Sequence, residues 1–193
     1  MRRLIATAVL LLAACASTPE PRPAMPALRL APAAFGSSVS LAQRLTLERV
    51  DNRLPGKREE TPRVLEALLE IDPGTVQLAG IALGQRVLTL SWDGQDLQQN
   101  RHPKLPAEVD GDRVLRDVQL AYWPAESIRQ ALPAGWVLLE DQGLRQLQQD
   151  GVTALSVRYS ANPRWAGDAV LENQREGYRL LIESRLQSTE PAP

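Results

Sequence analysis

The sequence predicts a mainly β domain with a short helical insertion (α+β). The expected architecture is an unclosed antiparallel β-barrel or half-barrel under a helical lid. Three observations carry this expectation. Short runs alternate apolar and polar residues, the period-2 pattern of strands buried on one face. Close turns such as Asp93-Gly94 and Asp150-Gly151 separate those runs. One stretch, from Gly111 to Trp136, breaks the alternation and takes helical spacing instead.

The chain opens MRRLIATAVLLLAACAST. A membrane-spanning helix needs about 20 apolar residues, and the run from Leu4 to Ala14 is too short. Arg2 and Arg3 followed by that run read as a secretory signal. Its end, Leu12-Ala13-Ala14-Cys15, resembles the bacterial lipobox, in which the cysteine sulfur is diacylated and the chain is cleaved on the N-terminal side of that residue. Cys15 is the sole cysteine, so no internal disulfide can form. The lipid would be covalent, and no other cofactor is expected. Ala16 in place of an aspartate fits sorting to the outer membrane of a Gram-negative cell, on its periplasmic face. The domain plan is a signal peptide at 1–14, a Pro-rich tether at 15–36, a folded body at 37–187 and a disordered tail at 188–193.

The tether carries prolines at 19, 21, 23, 26 and 32. Proline at this density favours extended, solvated chain. In polyproline II, at ~3.1 Å per residue, it would reach on the order of 50 Å. Loss of Arg2 and Arg3 takes the net charge from -1 to -3. That mild balance gives no basic face for a nucleic acid.

Val87 to Trp92 places Leu88, Leu90 and Trp92 on one face of a strand and Val87, Thr89 and Ser91 on the other. Asp-Gly after it suits a hairpin, because both positions tolerate positive φ. The signal recurs at Asp150-Gly151, between GLRQLQQ and VTALSVRYS. Asp72-Pro73-Gly74 links RVLEALLEI to TVQLAGIAL. A last hairpin turns between Asn173 and Gly177. Strands joined this closely suggest a meander that curls.

In the helical stretch, Val114, Leu115, Val118 and Tyr122 recur at helical spacing. Pro124 fits the first turn of a second helix, with Glu126 near its positive end and Ile128, Ala131 and Leu132 on one side. Pro133 and Gly135 end it. The aromatics Tyr122, Trp123 and Trp136 either fill a core or line a cavity.

Enzymatic signals are weak, and no catalytic residue is assigned. The one histidine, His102, sits between Arg101 and Pro103 in loop-like sequence. Nucleophile elbows, metal-ligand spacings and phosphate loops are missing. Glu59-Glu60 and Asp110-Gly111-Asp112 read as solvated turns or caps, with Asp112 a candidate helix cap.

The lipobox and tether, the stretch LAGIALGQRVLTLSWDG with glycines at 80 and 84 around Leu83, and LRDVQLAYWPAESIRQALP with Pro124 and Ser127-Ile128-Arg129-Gln130 occur in an order that resembles the lipoprotein receptor LolB and its periplasmic partner LolA. The chain resembles still more a family of uncharacterised proteobacterial lipoproteins of that type, over about residues 40 to 187. The resemblance implies an apolar cavity that takes acyl chains or lipid, exchange with a LolA-like periplasmic carrier, and a membrane-contact role for Leu83. The residues around Leu83 read as a simple hairpin bend. A polyene or glycolipid cargo is a further implication.

Two readings therefore lead. In the first, the protein binds lipid in a dry cavity lined by Leu88, Leu90, Trp92, Leu115, Val118, Tyr122, Ile128 and Leu132. In the second, it is a scaffolding envelope lipoprotein that binds a protein partner through a sheet edge, with a filled core. A degenerate enzyme with convergent polar groups is the third.

Overall fold

The computed structural model describes residues 24–50, 62–105 and 109–187. Cys15, Glu59-Glu60 and the 188–193 tail lie outside the described residues. The described residues form ten strands: β1 (Val39–Arg49), β2 (Arg63–Ile71), β3 (Val76–Ala82), β4 (Gln85–Trp92), β5 (Leu97–Arg101), β6 (Trp136–Asp141), β7 (Leu144–Gln149), β8 (Val152–Tyr159), β9 (Ala169–Asn173) and β10 (Tyr178–Leu186). Two helices, α1 (Gly111–Tyr122) and α2 (Ala125–Ala131), interrupt them after β5. The strands make one antiparallel sheet in the order β5-β4-β3-β2-β1-β10-β9-β8-β7-β6. The two edges, β5 and β6, do not pair with each other, so the sheet stays unclosed as expected. The first and last strands meet at its centre, with Leu41 opposite Leu186 and Arg49 opposite Tyr178.

The turn chemistry follows the sequence. Asp72 Oδ1 accepts from the backbone N–H of Gly74 and Thr75 at 2.7 and 2.8 Å. Asp93 Oδ1 does the same for Gln95 and Asp96, both at 2.8 Å. Each carboxylate thereby closes a four-residue link rather than a two-residue one. These backbone donors hold both carboxyls below the usual carboxylate range. Asp150 and Gly151 do form a two-residue turn, with φ of 50° and 79°.

Alternation decides which side chains go inside. Leu69 and Ile71 of β2, Val76 and Leu78 of β3, Leu88, Leu90 and Trp92 of β4, Leu147 of β7 and Leu171 of β9 are all buried on the concave face. The helices lie across that face. Leu115, Leu120, Trp123 and Ile128 seal it. Each fully buried Leu or Ile contributes roughly 1.5–3 kcal/mol. Asp110, not Asp112, caps α1, its Oδ1 accepting from Arg113 N at 3.0 Å. Gly111 opens the helix, its amide donating to Gln99 Oε1 at 2.8 Å; a Cβ there would stand 2.7 Å from that oxygen, so a larger residue would displace the exposed Gln99 side chain. Pro124 precedes α2 as its N-cap residue.

One boundary differs from expectation. Residues 24–36, assigned to the tether, belong to the folded body. Met25, Leu28, Leu30 and Phe35 are buried in the core. The cause is a local pattern that the prolines obscured. Leu28 and Leu30 alternate with the charged Arg29, which is strand-like patterning without a strand ladder.

Candidate functional site

The residues expected to line a cavity do come together, but around a filled space. Leu88, Leu90, Trp92, Leu115, Tyr122 and Ile128 are all buried, and Val118 and Leu132 pack half-buried on the same cluster. The 24–36 segment fills part of what would have been cavity. Its backbone is gripped by side chains. Gln119, fully buried, accepts from Leu30 N at 3.1 Å and donates to Leu30 O at 3.0 Å. The indole N–H of Trp92 donates to Leu30 O at 2.8 Å, and that of Trp123 to Ala31 O at 3.2 Å. Arg29 pairs with Asp112 and stacks over the Trp92 ring at 5.2 Å. Phe35 meets the Trp123 and Trp165 rings at 5.2 and 5.1 Å.

An open pocket lies at the other end of the same concave face. Leu45, Leu47, Leu65 and Leu180 form its floor. Val109, Arg113, Val114 and Asp117 form its roof, the last three from α1. Arg49, Arg63, Glu176 and Tyr178 stand at its margin. Its volume is about 190 Å³, room for about six waters at their liquid volume. The geometry follows from β1. Val39, Leu41 and Gln43 of its inward face are buried, while Leu45 and Leu47 farther along are only half-buried. The sheet's apolar face thus runs past the sealed core and ends in an open recess.

A polar cluster flanks that recess, contributing Asp117 to its roof and Glu176 and Tyr178 to its margin. Arg116 donates two bonds to the Glu176 carboxylate, at 3.0 and 2.7 Å, and two to Asp117 Oδ1, each at 3.0 Å. The Tyr178 hydroxyl donates to Asp117 Oδ2. Asn173 donates to Glu176 Oε2 at 3.0 Å and to Tyr178 Oη at 3.2 Å. Burial raises the Asp117 carboxyl above its ordinary range, although Arg116 beside it pulls the other way. Burial, then the neighbouring Asp117, holds the Tyr178 phenol neutral well beyond its usual range. The charges here are matched and bonded, so the free part of the pocket is the leucine floor. An apolar group of modest size fits it.

Leu83 is fully exposed at the tip of the two-residue β3–β4 turn, more of a tip than the sequence suggested. Among the described residues, three or more His, Cys, Asp or Glu never converge as a metal site. His102 Nδ1 accepts from Lys104 N at 3.2 Å and shapes the loop after β5. No helix among the described residues is long and apolar enough to cross a membrane. The pocket floor was the missed site. Its signal was present in VSLAQRLTLER, where Leu41, Leu45 and Leu47 keep period two, with Gln43 as the interruption. Gln43 is explained by its partners: its amide donates to Tyr122 Oη at 2.8 Å and Ser184 Oγ at 3.0 Å.

A family described as Protein of unknown function (DUF3261) matches residues 40–185. Among solved structures, the chain is similar to a domain described as an outer membrane lipoprotein-sorting protein from Vibrio parahaemolyticus, at 9% identity and a TM-score of 0.43. That match covers 81% of this chain and 87% of the other. It is also similar to a DUF1329 family protein from Desulfovibrio piger, at 12% identity and a TM-score of 0.30, covering 81% and 88% of the two chains. Nothing among the curated proteins matches the sequence.

Proposed function

On the premise that the chain belongs to the DUF3261 family of proteins of unknown function, we propose that it is an envelope lipoprotein whose half-barrel receives an acyl chain or lipid. The reading places a lipid on Cys15, anchoring the body at the periplasmic face of the outer membrane. The bound chain would be handed to or from that membrane, with a LolA-like periplasmic carrier as the exchange partner. One observation carries this reading: the open, leucine-floored recess between α1 and the centre of the sheet. An unfilled apolar recess in an otherwise sealed core is the expected mark of a ligand site. Leu83 supports the membrane contact. It offers a whole leucine side chain to solvent at the sheet end where β2 begins and β1 finishes, the end at which the pocket opens.

Native mass spectrometry of the protein purified from its own membranes tests the reading. Co-purifying lipid is expected, and Leu47→Glu should abolish it while the fold persists. Absence of lipid, together with failure to take up a fluorescent fatty acid, sinks the proposal.

The scaffolding reading draws on a different feature. Val137 and Leu139, on the edge strand β6, are 53% and 44% exposed. An apolar edge of this kind invites strand pairing with another chain. In that case Val137→Asp would release a co-purifying protein and leave lipid content unchanged.

A further inference from the structure

At about 190 Å³, the recess is smaller than the roughly 300–1,000 Å³ of common ligand sites. A chain of more than a few carbons needs the roof to move. The roof is the first half of α1, through Arg113, Val114 and Asp117.

The attachments of α1 differ along its length. Its C-terminal end is bolted down by buried groups. Arg145, fully buried, donates to Leu120 O at 2.6 Å and to Trp123 O at 2.9 Å. Tyr159 Oη donates to Ala121 O at 2.6 Å. On one flank, Asp112 and Gln119 face residues 29 and 30, with Ala31 held by Trp123 just beyond the helix. On the other, Arg116 and Asp117 face Glu176 and Tyr178. The segment that holds the first flank has no strand ladder of its own. Among the described residues, its backbone bonds before Ala31 go to the side chains of Gln119 and Trp92. No strand of the sheet pairs with this segment, so its release breaks no ladder bond, although it uncovers Met25, Leu28 and Leu30.

We propose that residues 24–31 are a strap that latches α1 over the pocket, and that a long-chain ligand enters with release of the strap. The proposal rests on the lipid-binding reading above. α1 then pivots about the Arg145 and Tyr159 bonds at its C-terminal end, and the recess lengthens beneath it. Coupling of this kind is reciprocal. Whatever binds the widened pocket must loosen the strap, and whatever loosens the strap must help the ligand bind.

Hydrogen exchange on the full chain in nanodiscs, with and without dansylundecanoic acid, reads both directions, with empty nanodiscs as the control for probe in the bilayer. Bound probe should speed exchange across residues 24–31 by about tenfold, the effect of losing a bond or two around Leu30. Amides of β1 and β10 should stay protected. Gln119→Leu removes both bonds to Leu30, so it should loosen the strap without probe and accelerate probe uptake. Two results overturn the strap and leave the pocket standing: probe bound with exchange of 24–31 unchanged, or a loosened strap with unchanged uptake. Binding by neither the native chain nor Gln119→Leu overturns the lipid reading itself. Should the variant not fold, the native chain with and without probe decides alone.

Discussion

The two ends of the concave face are built from the same strands and finish differently. At one end, Leu41, Leu69, Leu88, Leu90 and Trp92 are sealed beneath the helices and the strap. At the other, Leu45, Leu47, Leu65 and Leu180 keep the same inward phase but meet open space under the first turns of α1. Alternation fixes the face a side chain takes, while burial depends on what lies across from it. The sealed end has three covers, α1, α2 and the strap, and the open end has one.

The largest effect that separates the ends comes from placing a charge in each. Leu90→Glu buries a carboxylate at a site 4% exposed, within the apolar cluster of Leu78, Leu88 and Trp92. The expected cost is several kcal/mol, a large part of a total stability of roughly 5–15 kcal/mol. Urea or thermal unfolding should show a chain largely unfolded or close to it. Leu47→Glu places the same charge in the open recess, beside solvent. Its expected cost is within about 1 kcal/mol, yet it should abolish lipid binding. Similar losses of stability from the two variants would mean that the recess is closed in solution, and the contrast between the ends would collapse.

A smaller effect tests the bolt at the closed end of α1. Burial holds the Tyr159 phenol neutral up to about 12, against an ordinary value of 10.0, although Arg145 nearby pulls it down. The unfolded chain loses this proton first. The stability that the neutral phenol contributes is therefore complete below pH 10 and is lost as pH rises through about 12. Tyr159→Phe removes that alkaline dependence. It also removes the bond to Ala121 O, at about 1 kcal/mol near neutral pH. Burial raises Tyr122 and Tyr178 as well, so the difference between parent and variant, read by urea unfolding from pH 8 to 12, isolates this phenol. Parallel curves would show that Tyr159 is not buried against the helix.

The unclosed sheet, its hairpins and both helices were legible because each has a local signal: period two, Asp-Gly turns, or helical spacing. The inward set Leu88, Leu90 and Trp92 was legible for the same reason. The state of the space they face was not. Whether a concave face is filled depends on a segment some 60 residues earlier in the chain, and nothing in VLTLSW encodes it. The strap was hidden by its composition. The prolines read as solvated, extended chain, but chain without a ladder can lie in a groove as readily as in solvent, and Pro32 opens a single 3-10 turn, Pro32–Phe35. The pocket floor was hidden by Gln43, whose polar side chain interrupts the apolar alternation of β1. Only the Tyr122 hydroxyl and Ser184, far away in sequence, account for it. Asp110 rather than Asp112 as the cap of α1 is a two-residue error of the ordinary kind, since either aspartate suits the position.

The smallest effect concerns the open end's outer rim. Leu83 has φ 51° and its whole side chain in solvent. Left-handed backbone costs an L-residue roughly 1–2 kcal/mol, and least for Asn, Asp or Gly. Neither packing nor a hydrogen bond repays that cost here, because a fully exposed leucine has almost nothing to lean on. Leu83→Asn should therefore raise stability by a few tenths to about 1 kcal/mol, since asparagine suits the left-handed position of a two-residue hairpin. A leucine kept at a site where it weakens the fold is explained if its side chain is used in an apolar medium. Leu83→Asn should then weaken partition of the body into lipid vesicles, measured by co-flotation of a chain carrying Cys15→Ser, which removes the proposed site of lipidation, while Trp123→Phe, at the sealed end, leaves partition unchanged. A more stable Leu83→Asn with undiminished flotation would leave Leu83 as an unoptimised turn residue and take the membrane away from this end of the sheet.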